Sequence, residues 1–239
     1  VYNVDNQIVD GVIANVTMPN GIAAATMMYT LGEEMGWEGG ICSLTVESIQ
    51  VHNERTRTFE AVISCYPGLT LLDSQDCFSG SGTYLENCYD MTTAWLNSYG
   101  TDIKGIICSA DAFAIEANAA AEASANEVSE DLWIAGNDGG SEYFYQIRED
   151  SYYQYSYVQP VELYVDTMFD VIEDIQVEGL NPGDEGCLIE TAGETLYCEG
   201  TLVSIDNVPQ SGESIQVCFD YYDDDPHAWY NWEGGYICE

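Results

Sequence analysis

The chain has 239 residues, 46% of them hydrophobic, with 42 Asp+Glu against 4 Lys+Arg and a formal net charge of −38. That length and apolar content support a buried core and exclude a disordered acidic segment. The charge excludes nucleic acid and anionic membrane as partners, since both require Lys and Arg to displace counterions, and favours cations, salt or sugars at the surface.

In chain order, Val1 to Ile13 reads as an extended entry with Asp5 and Asn6 exposed near its end. Gly21 to Met35 carries apolar residues at helical spacing and stops at Gly36. Gly40 to Val46 is a strand covered on both faces; His52 to Ser64 contains a helix with Phe59, Val62 and Ile63 inward, broken by Pro67 and Gly68. Leu69 to Leu72 is the next strand, Ser79 to Thr83 (SGSGT) a loop, and Tyr84 to Ser98 a helix ending before Gly100.

Gly105 to Ser109 is an unbroken apolar run, the pattern of a buried parallel strand. Asp111 follows as an N-cap, and an Ala-rich helix runs to about Asn126. Leu132 to Gly136 is a second covered strand, turned at its end by Asn137, Asp138 and Gly139. Such a strand, helix, strand unit places its two strands parallel, with ligand-facing residues beyond their carboxyl ends; Ala110, Asp111, Asn137 and Asp138 fall there. Tyr143 to Arg148 predicts a short helix and Tyr152 to Val158 a Tyr-rich strand; the Tyr cluster from 143 to 157 is a packed strand, a carbohydrate-stacking surface or an association face. Val161 to Ile175 predicts a helix with its stripe at 161, 164, 165, 168, 169, 172 and 175. The fold class is therefore α/β, a parallel sheet flanked by helices. From Gly179 onward, turns, short strands and cysteines predict a smaller β-rich, disulfide-pinned extension, in which Glu213 to Tyr222 alternates like a solvated strand.

None of the nine cysteines shows the paired spacing of a zinc site. Cys77 with Cys88, Cys187 with Cys198, and Cys218 with Cys238 bracket loop-like sequence and are the expected disulfides of an oxidising compartment; Cys42 and Cys108 read as buried thiols. Asn15 opens the only glycosylation sequon, Asn15-Val16-Thr17. Asp223, Asp224 and Asp225 form either a calcium-binding run or a solvated loop, with no other metal or cofactor expected. His52 and His227 read as surface residues. No apolar run reaches the length of a membrane span, as in a mature secreted protein or a fragment lacking its start. There is no phosphate loop, nucleophile elbow or HExxH, so no enzyme is expected.

In order along the chain stand DN near the start, a helix ending in Gly, a strand, Arg55 four residues before Phe59, YPGL, CSADAFAIEAN, IAGNDG, YSYVQP and a further helix. This succession resembles the type 1 periplasmic binding proteins, nearest the sugar-binding, ribose-type branch, over Tyr2 to Ile175, with an echo in LVSIDNV at Leu202 to Val208. The resemblance implies a second lobe with its hinge crossings (1–160), a helix of a largely missing first lobe (161–178) and an unmatched acidic Cys-rich extension (179–239). It implies that Arg55, Asp138 and Gln159 contact ligand hydroxyls, with Asp111 and Asn137 beside them. Ala110 stands where the family's sugar binders carry a ligand Asn, and Asn137 where they often carry an aromatic; Phe78 is a candidate for stacking.

Two functions follow as expectations. One is a secreted, surface or periplasmic domain that binds a small polar ligand, a sugar, by hinge closure without chemistry. The alternative is a structural subunit of an extracellular filament or coat, self-associating once cations or glycans screen its charge.

Overall fold

The computed structural model describes residues 1–5, 7–149, 152–213 and 215–219. The elements run β1 (Asn3–Val4), β2 (Ala14–Thr17), α1 (Asn20–Glu34), β3 (Gly39–Thr45), α2 (Gln50–Cys65), β4 (Leu69–Asp76), α3 (Tyr84–Tyr99), β5 (Ile103–Cys108), α4 (Asp111–Glu122), β6 (Trp133–Asp138), α5 (Ser141–Glu149), β7 (Tyr153–Val158), α6 (Val161–Ile172), β8 (Glu194–Tyr197) and β9 (Thr201–Ser204). The described chain falls into two units, Val1–Asn20 with Gln159–Gly200, and Gly21–Val158 with the segment from Thr201.

The larger unit holds a sheet in the order β4-β3-β5-β6-β7-β9, parallel except for β9, which runs antiparallel to β7. Its central strands are those read as covered: Gly105 to Cys108 and Ile134 to Asn137 are buried along their length. Both faces are filled by helices, as a parallel sheet requires. On one face α3, α4 and α5 pack in a row, α4 through Phe113, Ala114, Ala117, Ala120 and Ala121. On the other, α1 buries Ala23, Ala24, Met27, Met28 and Leu31, while α2 buries Phe59 and Ile63. α3 starts at a capping box, with Glu86 N donating to Thr83 Oγ1 (3.3 Å) and Thr83 N to Glu86 Oε2 (2.8 Å).

In the smaller unit β2 is the middle of a parallel sheet β1-β2-β8. Ala14, Val171 and Ile189 form its core, joined by Ile13, Ile175, Cys187 and Leu196.

Several elements differ from the sequence reading. β4 continues to Asp76 because, as the edge strand, it tolerates half-buried Asp73, Ser74 and Gln75. α6 ends at Ile172 and passes into one π turn, Glu173–Val177. α4 ends at Glu122, and Asp111 is its first residue rather than its cap. Segments expected in one extension divide between the units: β8 completes the small sheet, and β9 extends the large one. Ile215–Cys218 is a 3-10 turn where alternation suggested a strand, with 220–222 outside the described residues.

All eight described cysteines are thiols. Cys187 packs in the Ala14 cluster, whereas Cys198 follows β8 at its far end, its N–H on Thr17 O (3.0 Å) and its sulfur 3.6 Å from Thr167 Oγ1. The strand between them explains why they are unpaired. Cys238, the expected partner of Cys218, lies outside the described residues, as do Asp223, Asp224, Asp225 and His227. Among the described residues no helix is long and apolar enough to cross a membrane.

The sequon at Asn15 is likewise corrected, because the residue is 1% exposed in the central strand β2. Its Oδ1 accepts from Asn3 Nδ2 (2.9 Å) and Val9 N (3.0 Å), and its Nδ2 donates to Val9 O (3.4 Å) and Gly193 O (3.3 Å). Asn15→Ala should lower stability by about 2–4 kcal/mol, since buried partners lose their bonds. A urea midpoint equal to that of the parent would contradict this role.

Candidate functional site

The chain leaves β3 for β4 on one side, then crosses back past β3 to β5 and continues the other way. The connections out of β3 and β5 therefore diverge, and it is at such a switch point, beyond the carboxyl ends of the strands, that α/β sheets form the crevice in which they bind ligands. α2 rises from one side of this point and α4 from the other, and β6 ends beside them.

Arg55, 3% exposed, reaches from α2 to this switch point. Its Nη1 donates to Ser109 O just beyond β5 (2.7 Å) and pairs with Asp138 Oδ1 at the end of β6 (3.1 Å). The Asp138 side chain keeps 38% of its surface exposed. Its backbone has φ +127°, a strained conformation for a non-glycine residue, of the kind that accumulates at functional sites. The following Gly139, at φ +86°, relieves the turn.

Asp111 is buried beneath this pair. Its Oδ2 accepts from Gly139 N and Gly140 N, both at 2.8 Å, and its Oδ1 from Ser156 Oγ at 2.7 Å. It thus fastens the β6 turn to α4 and β7, which explains why a good N-cap residue does not cap its own helix. Gly136 is the complementary requirement: a Cβ there would lie 2.2 Å from Asp111 Oδ1 and 2.7 Å from Tyr143 Cε1. Asn137 is wholly buried and donates to Tyr157 O (2.7 Å), turned into the sheet. Ala110 is also buried.

The structure brings together Arg55, Asp111 and Asp138. Gln159 belongs to the smaller unit, where its Oε1 accepts from Tyr164 OH (3.4 Å). His52, read from sequence as a surface residue, instead lies one turn before Arg55 with Nδ1 2.9 Å from Ser109 Oγ. Its ring begins a row of aromatics, 5.8 Å from Phe113, with Phe113 6.1 Å from Tyr84 and Tyr84 5.8 Å from Phe78. The available signal was the spacing of three between His52 and Arg55, which puts both on one side of a helix. Among the described residues no group of His, Cys, Asp or Glu could hold a metal ion.

Burial and the Asp138 carboxylate push Asp111 up to about 7, against the pull of its N–H and hydroxyl donors. Burial, then the Arg55 charge, lowers His52 to about 4, only partly offset by Ser109. Two opposed proton linkages result. Folded Asp111 binds more protons than unfolded, so its contribution to stability falls as pH rises from about 4 to 7. Folded His52 binds fewer, so its contribution is lost as pH falls through 6.5 toward 4. Relative to the parent, Asp111→Asn should make stability rise more steeply with pH between about 4 and 6.5, and His52→Gln should make it rise less steeply. Denaturant midpoints across that range measure both, and changes of slope from the parent that share one sign in the two variants would contradict the assignment.

A family model described as a periplasmic binding protein domain matches residues 1–176. No curated protein matches the sequence. Among solved structures, a periplasmic solute-binding protein of Actinobacillus succinogenes with bound D-allose has a TM-score of 0.72 at 16% identity, over 87% of this chain and 70% of that one. The myo-inositol-binding protein of Caulobacter gives 0.71 at 17% identity, over 87% and 66%. A solute-binding protein of Bacillus halodurans with bound myo-inositol gives 0.67 at 20% identity, over 86% and 66%. The chain thus spans about two thirds of the length of these structures, and they share its fold. With the model match over most of its length, the chain belongs to the periplasmic binding protein domain family.

Proposed function

We propose that the crevice binds a small polyhydroxylated ligand, a sugar or cyclitol, without chemical conversion, in a periplasmic or extracellular setting. The observation that carries this reading is the pairing of Arg55 with half-exposed Asp138 at the switch point, beside the ring row from His52 to Phe78. A guanidinium and a carboxylate offer directional donors and acceptors to ring hydroxyls, and aromatic faces take the apolar C–H surface of such a ring. Asp111 and Gly139 position Asp138, and His52 supplies a neutral polar edge. Family membership and the sugar and inositol ligands of the similar structures support the reading.

A second reading, self-association, is favoured by α6. Its buried side carries Tyr164, Met168 and Val171, yet Val161, Val165 and Phe169 form a second stripe that is 47%, 43% and 64% exposed. A second copy covering this stripe would need the −38 charge screened. Light scattering over a salt and calcium series separates the possibilities. Large species that dissolve in chelator or low salt favour assembly, and monomers throughout eliminate it.

Titration calorimetry with D-allose, L-arabinose and myo-inositol tests the first reading. At least one should bind, and Arg55→Lys should weaken it by tenfold or more because the planar fork is lost. Absence of heat with all three, or an Arg55→Lys variant that binds as tightly as the parent, would overturn it.

A further inference from the structure

Cys77 directly follows β4, and Cys88 lies in the second turn of α3. Both are 0% exposed, and their sulfurs stand 2.8 Å apart, nearer than two unbonded sulfurs normally approach. The backbone on either side is already fixed. Cys77 N donates to Thr45 O (2.8 Å), Asn87 Nδ2 to Cys77 O (2.7 Å), and Gly82 N to Asn87 Oδ1 (3.1 Å). Gly80 folds so tightly over this bracket that a Cβ would lie 2.1 Å from Asn87 Oδ1. The sulfurs need to close from 2.8 Å to the roughly 2.05 Å of a disulfide bond.

A third thiol, Cys108, is buried nearby; burial, then the charges of Cys77 and Asp111, push its pKa up and keep it protonated. Three sulfurs could suggest a metal site, yet among the described residues no group of His, Cys, Asp or Glu has the arrangement to hold one. Of the three, Cys77 and Cys88 are the pair whose sulfurs touch.

We propose that Cys77 and Cys88 are a disulfide-forming pair that cross-links the rim of the crevice. The segment they bracket, residues 78–87, carries Phe78 and Tyr84, two rings of the aromatic row. The oxidant is a small-molecule or protein disulfide. One thiolate attacks a sulfur of that disulfide, releasing a thiol and leaving a mixed disulfide. The second cysteine then displaces the other sulfur, so that two protein thiols lose two protons and two electrons and the external disulfide gains them. In the folded chain a hydrogen bond between the two sulfurs, then burial, hold the Cys88 thiol protonated. Exchange therefore requires opening of the 78–87 segment or takes place while the chain folds, and the redox state present at folding is kept. The inference is independent of which ligand the crevice takes.

The test is to prepare the full chain twice, once folded in a mixture of oxidised and reduced glutathione and once under strong reductant. Each sample is unfolded, alkylated and mapped by peptide mass without reduction. The oxidised preparation should yield a linked Cys77–Cys88 peptide, two hydrogens lighter than the dithiol pair, and a melting temperature higher by roughly 5–10 °C, as expected for a short closed loop. Cys88→Ser should remove the linked peptide and the shift together. Full alkylation of both residues after oxidative folding, or linkage of Cys77 to Cys108, would overturn the proposal.

Discussion

One buried cation organises the large unit. Arg55 is among only four basic residues facing 42 acids, and it is almost wholly enclosed. Removing a guanidinium from water is costly unless its donors are used, and here Nη1 is taken by the Ser109 carbonyl and the Asp138 carboxylate. The surrounding acidity offsets part of that cost, because the general negative field favours a buried positive charge. Through this one group α2, the end of β5 and the end of β6 are tied where their connections diverge. Loss of the guanidinium would leave a carbonyl and a carboxylate without that partner in a crevice walled by rings.

Beneath it lies a buried acid with no cation of its own. Asp111 is stabilised by three donors, two of them backbone N–H groups available only because Gly139 and Gly140 turn tightly after β6. The strained backbone of Asp138 is held from both sides, by Arg55 in front and by the Asp111 contacts to the next two residues behind. Gly136 follows from the same packing, since the space of its missing side chain is filled by the Asp111 carboxylate. Three residues that look unrelated in sequence thus answer to one packing problem.

Most of the fold was legible because its central strands are covered on both faces. Unbroken runs such as Gly105 to Cys108 can hardly be anything else when an Ala-rich helix and a second run follow. What escaped were features set by partners distant in sequence. The second half of β4 looked like loop because its polar residues are tolerated only at a sheet edge. Asp111 looked like a helix cap because a cap and a turn-fastening carboxylate want the same short acid at the same place. Asn15 fitted a three-residue pattern that carries no information on burial. His52 had no motif, and only the packing of α2 against Ser109 and Phe113 gave it a place. Family resemblance supplied Arg55 and Asp138, which local physics alone would have left as one ion pair among many possible in so acidic a chain.

The local balance of charge differs from that of the whole molecule. Across the chain the net charge is −38, yet at the site Arg55 and Asp138 offset each other, His52 is neutral, and burial, then the Asp138 charge, leaves Asp111 partly protonated near neutral pH. A cation entering would meet the guanidinium, and an anion would first have to cross the long-range field of the surface. Neither gains much once inside. A neutral ligand with many hydroxyls meets no such opposition and can use the guanidinium, the carboxylate and the imidazole at once. On the proposed reading, selection rests on the direction of hydrogen bonds rather than on charge, which is why the Arg55 and Asp138 pairing weighs more in it than the acidity of the chain.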